Sequence, residues 1–131
     1  QMQEQKLKKL KVQSPDDRLL DKVMKVINDN LGNPDLNVEM IATEVGISRV
    51  HLHRKLKELT NQSTRDLIRN VRLKQAASLL ANQYHNITEV ASLTGFTNIA
   101  YFSTAFKELY GVPPTTYMEE QQKSSSDEIK Q

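Results

Sequence analysis

One phrase occurs twice in this 131-residue chain, and that repetition limits what the chain can fold into more than any other feature. Ile41-Ala42-Thr43-Glu44-Val45-Gly46-Ile47-Ser48 matches Val90-Ala91-Ser92-Leu93-Thr94-Gly95-Phe96-Thr97-Asn98, the second copy carrying one extra residue in its turn. Beyond the turn the copies run in register. Leu52, Leu56 and Leu59 correspond to Phe102, Phe106 and Leu109, and Lys57-Glu58-Leu59 recurs as Lys107-Glu108-Leu109. Each copy predicts a short helix, a turn that begins at Gly, and a longer helix. Ala42 and Ala91 fall where paired helices must approach closely. Gly46 and Gly95 supply the positive φ of a tight turn. Ile47 and Phe96 fill the angle between the helices. The triplets 52/56/59 and 102/106/109 lie at i, i+4, i+7 and predict one buried stripe per copy. This is the helix-turn-helix pattern, and two copies in matched register are far more specific than one.

The remaining segments also read as helices. Ser14-Pro15-Asp16-Asp17 combines an N-cap, a first-turn Pro and two carboxylates at the positive end of a helix dipole. Leu19, Leu20, Val23, Met24, Ile27 and Leu31 follow at helical spacing until Gly32-Asn33-Pro34. Asn37, Ser48, Ser63, Asn86 and Asn98 are the next expected caps. Gly111-Val112-Pro113-Pro114 breaks the sixth helix, and Tyr117 is expected on a short seventh. No segment alternates with period two, so the expected fold is all-α, seven helices forming two helix-turn-helix subdomains on a long linker helix. The expected divisions are 1–13, a linker from an upstream region; 14–62, the N-terminal helix and first helix-turn-helix; 63–81, the linker helix; 82–122, the second helix-turn-helix; and 123–131, a disordered tail around Ser124-Ser125-Ser126-Asp127. The start at Gln1 rather than Met reads as a piece of a longer protein.

Several functional classes are excluded or left without support. The chain has no Cys, so disulfide frameworks, Cys-based zinc sites and thiol catalysis drop out together; this fits a reducing compartment. No apolar run approaches the roughly 20 residues of a membrane span, and no secretory signal is visible. His51 and His53 sit two apart on one helix, about 200° around it, and cannot share a metal. His85 lies in a loop and reads as a surface residue. Ser and Thr residues fall at caps, so no nucleophile constellation forms, and no cofactor or metal is expected. The chain reads as a non-enzyme.

Charge is unevenly placed. Between Ile41 and Leu80 stand eight basic and three acidic residues; between Ala81 and Gln122, Lys107 is the one basic residue against four acidic ones. A basic centre points to a polyanion. On the longer helix of the first copy, Val50, His53, Arg54 and Lys57 form one face opposite the apolar stripe, with Arg49 near the helix start. Such a face suits the major groove: Arg54 can bond two guanine acceptors, His53 a base edge, and Val50 a thymine methyl. Asn37-Val38 and Ile87-Thr88 begin helices, and their free N–H groups suit phosphates. His51 is expected to pack or to meet a phosphate, and Tyr101, in the same place in the second copy, to be half core and half backbone contact. Arg72, in Val71-Arg72-Leu73-Lys74, suits a structural ion pair or a DNA contact equally.

From Leu36 to Tyr117 the chain resembles the DNA-binding domain of the AraC/XylS family of transcription regulators. The resemblance rests on IATEVGISRVHLHRKLKELTNQS, LIRNVRLKQAASLL and NITEVASLTGFTNIAYFSTAFKELYGVPPTTY, the last being especially specific. It implies recognition helices in successive major grooves of double-stranded DNA, the third helix reading bases through Arg49, Val50, His53 and Arg54 and the sixth through Ile99, Ala100, Ser103 and Thr104. Backbone contacts would come from Asn37, Val38, His51, Lys57, Ile87, Thr88, Tyr101 and Lys107. Many family members carry a basic residue at the position of Thr104, which this chain lacks. The preceding helix and the Lys/Gln-rich lead-in resemble the C-terminal output domain of hybrid two-component regulators. That likeness implies upstream receiver and sensor domains, with histidine kinase activity elsewhere in the full chain. RNA polymerase is a further candidate partner. The implied setting is cytoplasmic and nucleoid-associated, with any membrane anchor in an upstream sensor and no membrane contact by this segment. The competing reading is an α-helical protein-interaction module without specific DNA binding.

Overall fold

A computed structural model describes residues 13–82 and 85–130, and among them every regular element is a helix. They are α1 (Pro15–Asp29), α2 (Val38–Val45), α3 (Arg49–Thr60), α4 (Thr64–Ala81), α5 (Ile87–Leu93), α6 (Ile99–Tyr110) and α7 (Pro114–Lys130). The expected linker over 1–13 lies, apart from Gln13, outside the described residues. Local chemistry sets the starts. Ser14, Asn37, Ser48, Ser63, Asn86 and Asn98 each accept a hydrogen bond from the backbone N–H three residues on, at 2.8–3.1 Å. Each such cap stabilises its helix by about 1 kcal/mol.

Two apolar cores form, and α4 runs through both. The first is mainly aliphatic: Val23, Ile27, Leu36, Ile41, Leu52 and Leu56 close on Leu67, Ile68 and Val71 of α4. The second gathers Val90, Ala91, Phe96, Phe102 and Phe106 against Leu73, Ala76, Ala77 and Leu80 of the same helix. With 18 residues, α4 is about 27 Å long, enough to serve both units as one stiff axis. The matched turns are built alike: Ile47 N–H reaches the Ala42 carbonyl at 3.1 Å and Phe96 N–H the Ala91 carbonyl at 2.8 Å. These are the six-to-one bonds of a Schellman cap around Gly46 and Gly95.

Two expectations are corrected. The buried stripe ends sooner than the i+7 spacing predicts: Leu59 is half-buried and Leu109 is 46% exposed. The last turn of each longer helix runs past the core. In the second unit Tyr110 closes the end instead, its ring 4.7 Å from Phe106 and 5.5 Å from Tyr117. Burial there, and then the neighbouring Tyr117, raise the Tyr110 phenol above its ordinary pKa. The seventh helix is not short, and 123–130 is not irregular: α7 continues to Lys130. No Gly or Pro stands between Thr115 and Gln131, and the serines are weak helix formers rather than breakers. Its first turns pack Tyr117 and Met118 on the second core.

Candidate nucleic-acid interface

Ser48 starts α3 immediately after the turn, and burial of Leu52 and Leu56 fixes which side of the helix faces out. Arg49, Val50, His53, Arg54 and Lys57 are all exposed, Val50 by 76%. Arg49 makes an exposed ion pair with Glu39 on α2, Nη1 to Oε1 at 3.3 Å. An exposed pair of this kind contributes about 0–1 kcal/mol, so the guanidinium swings out at little cost. His51 is half-buried, beside the face rather than on it.

The exposed face of α6 is built the same way and is chemically poorer. Ile99 (42% exposed), Ala100 and Thr104 are exposed, and Ser103 is half-buried. The Thr104 hydroxyl donates back to the Ala100 carbonyl at 3.0 Å, leaving acceptor lone pairs toward solvent. Tyr101 is 47% exposed, with its ring 6.2 Å from Phe96, so one edge packs and the other is free. Of the helix-start residues, Val38 and Ile87 are half-buried while Asn37 and Thr88 are exposed. Asn37 spends its side-chain oxygen on the Met40 N–H. Lys107 is exposed, as Lys57 is. His85 meets Glu89, Nδ1 to Oε2 at 3.3 Å.

A groove of about 690 Å³ lies between the two units. Arg49, Val50 and His53 line it from α3, Thr97, Asn98 and Tyr101 from the second unit, and Asn37 and Val38 from the start of α2. Arg65 and Arg69 of α4 line it as well, and among the described residues no carboxylate does. Arg69 holds a partner just outside, Asp66 at 3.5 Å. These two arginines were missed as site residues in the sequence. The available signal was their i, i+4 spacing at the start of the linker helix, within the basic stretch.

Arg72 departs from the expected ion pair, and it lines the groove from below. The residue is buried, 8% exposed, and its partners are carbonyls rather than a carboxylate. Nη2 donates to Asn33 O at 2.7 Å in the α1–α2 loop, and Nη1 donates to Gly95 O at 3.1 Å in the second turn. Burial pushes its pKa down from the ordinary guanidinium value. Among the described residues no three His, Cys, Asp or Glu side chains cluster as a metal site would need, and no helix is long and apolar enough to cross a membrane.

Two helix-turn-helix units on one stiff helix, with a groove lined by four arginines between them, define a DNA-binding domain of the transcription-regulator class. A helix-turn-helix domain family matches residues 41–120, and the chain belongs to that family, in its AraC-type form. The "Histidine kinase P4" of Formosa agariphila is 35% identical over 106 residues, 81% of this chain but 8% of that protein. The C-terminal domain of AraT, a response regulator from Geobacillus stearothermophilus, superposes with a TM-score of 0.72 at 32% identity, covering 82% of this chain and 86% of that one. The DNA-binding domain of AdpA, solved in complex with a target DNA, shares the fold, with a TM-score of 0.73 at 24% identity over 81% of this chain and 94% of its own. The chain spans well under two thirds of the curated relatives it matches, 8% of the Formosa protein and 36% of the Msm operon regulatory protein of Streptococcus mutans.

Proposed function

We propose that this domain reads a bipartite DNA site, α3 and α6 entering successive major grooves on one face of the duplex, and so controls transcription. The observation that carries this reading is the groove the two units share: Arg49, Val50 and His53 of α3 and Tyr101 of α6 line one concave surface that has no carboxylate among the described residues. Arg49, Val50, His53 and Arg54 would meet base edges in one half-site, and Ile99, Ala100, Ser103 and Thr104 in the other. Phosphates would be held by His51, Lys57, Tyr101 and Lys107, and by the N–H groups at Asn37-Val38 and Ile87-Thr88. Arg65 and Arg69 would face the backbone that crosses between the half-sites.

Footprinting on genomic fragments tests this. The expected result is saturable protection of two tracts with centres about one helical turn, roughly 10 bp, apart. Binding that is indifferent to sequence, or absent at moderate salt, would favour a protein-interaction module instead.

We further infer an output role in a longer, signal-responsive regulator. The Formosa relative is named a histidine kinase, of which this chain matches 8%, and the AraT domain is the C-terminal one of a response regulator. In that arrangement any kinase activity, and any membrane anchor, belongs to other domains, while this one works at the nucleoid. An antibody raised against the domain would detect a native polypeptide much larger than 15.0 kDa; a native band at that mass would contradict the inference.

A further inference from the structure

We propose that Arg72 sets the relative pitch of the two recognition helices, and through it the half-site spacing that the domain accepts. The spacing part rests on the DNA-binding reading; the pitch part does not.

Arg72 stands where α4 passes from one core to the other, between Val71 in the first and Leu73 in the second. A continuous helix fixes the distance between the two units along its axis. Rotation and tilt of the second unit about that axis depend on ties placed off the axis. The Arg72 guanidinium is such a tie. It donates to Asn33 O in the first unit at 2.7 Å and to Gly95 O in the second at 3.1 Å.

The planar guanidinium holds its donors in a fixed fork, so two bonds to two units fix an angle as well as a separation. Both acceptors are neutral carbonyls, and a buried cation without a countercharge depends on such bonds. The surroundings are fitted to it. A Cβ on Gly95 would run into the Leu31 carbonyl and lie 2.8 Å from the Arg72 Cζ, so glycine lets the α1–α2 loop and the second turn close around the fork. Gly32 approaches the same turn, its Cβ position 3.5 Å from the Leu93 carbonyl. Gly95 itself is two residues from Thr97 and three from the cap Asn98, which starts α6. A shift at the fork therefore passes directly to the recognition helix.

The first test needs no DNA. The natural chain has no Cys, so Glu58→Cys and Glu108→Cys, at matched positions on α3 and α6, take spin labels cleanly. The wild-type background should give one narrow distance distribution. Arg72→Met, which keeps the stem and loses the donors, should broaden or shift it. Arg72→Lys, a point cation without a fork, should do so too, and it serves alone if Arg72→Met loses helicity by circular dichroism.

The second test uses the footprinted site and versions with one base pair inserted or removed between the halves, a change of about 35° in azimuth. Wild type should lose about tenfold or more in affinity, as for a mismatch in the site itself. The Arg72 variants should bind a single half-site as wild type does, but discriminate between spacings by less than about threefold. Distance distributions and spacing discrimination that stay at wild-type values in a folded variant overturn the proposal. If wild type binds no DNA specifically, the functional reading fails, and the distance measurement still decides the role of Arg72.

Discussion

Gly46 and Gly95 share a backbone conformation, φ of +86° at each, but not a neighbourhood. A Cβ added at Gly46 meets nothing within 4 Å, whereas at Gly95 it meets the Leu31 carbonyl and the Arg72 guanidinium. The first turn of the repeat is free on its outer side, and the second is pressed against the other unit.

Gly46→Ala and Gly95→Ala should therefore differ. The first carries only the strain of a left-handed backbone, about 1–2 kcal/mol. The second adds an overpacking cost of about 1–3 kcal/mol. Urea unfolding of the two variants measures the difference; equal losses would contradict the close approach of the α1–α2 loop.

Arg54→Ala should cost about 1–3 kcal/mol on the cognate site and relax preference at one base position. Stability should hold, because the side chain is exposed while Leu52 and Leu56 carry the buried face. Titration against specific and random duplexes checks this; equal losses on both would assign Arg54 to a phosphate.

Glu39→Gln should tighten DNA binding. It releases Arg49 from its 3.3 Å partner and removes a negative charge beside the recognition face. Since an exposed pair is worth up to about 1 kcal/mol, the gain should reach about fivefold at low salt and shrink as salt rises. Weaker binding by this variant would show that Glu39 positions Arg49 productively.

The legible part of this fold is the part written in short-range chemistry. The caps at Ser14, Asn37, Ser48, Ser63, Asn86 and Asn98 each involve a donor three residues away, and the two glycine turns are visible in the aligned repeat. The partners of Arg72 lie 39 and 23 residues from it, so no window of sequence could show them. The exposure of Leu109 is a tertiary effect of the same kind, since Tyr110 and Tyr117 compete for the end of the core. Periodicity marked which sides of α3 and α6 are exposed, but the place of Arg65 and Arg69 on the groove needed the two units in three dimensions.

We propose that the domain reads its bipartite site unequally. The α3 face offers Arg49, His53 and Arg54, while the α6 face offers methyl groups and single hydrogen bonds, with the Thr104 hydroxyl turned back on its own helix. Between Ala81 and Gln122 the one basic residue is Lys107, so the second unit also neutralises fewer phosphates. The most direct measurement is to scramble each half of a footprinted site separately and titrate binding at fixed salt. Scrambling the half under α3 should nearly abolish specificity, and scrambling the half under α6 should weaken binding modestly. A more stringent half under α6 would contradict the ranking of the two units, and indifference to both would contradict sequence-specific binding itself.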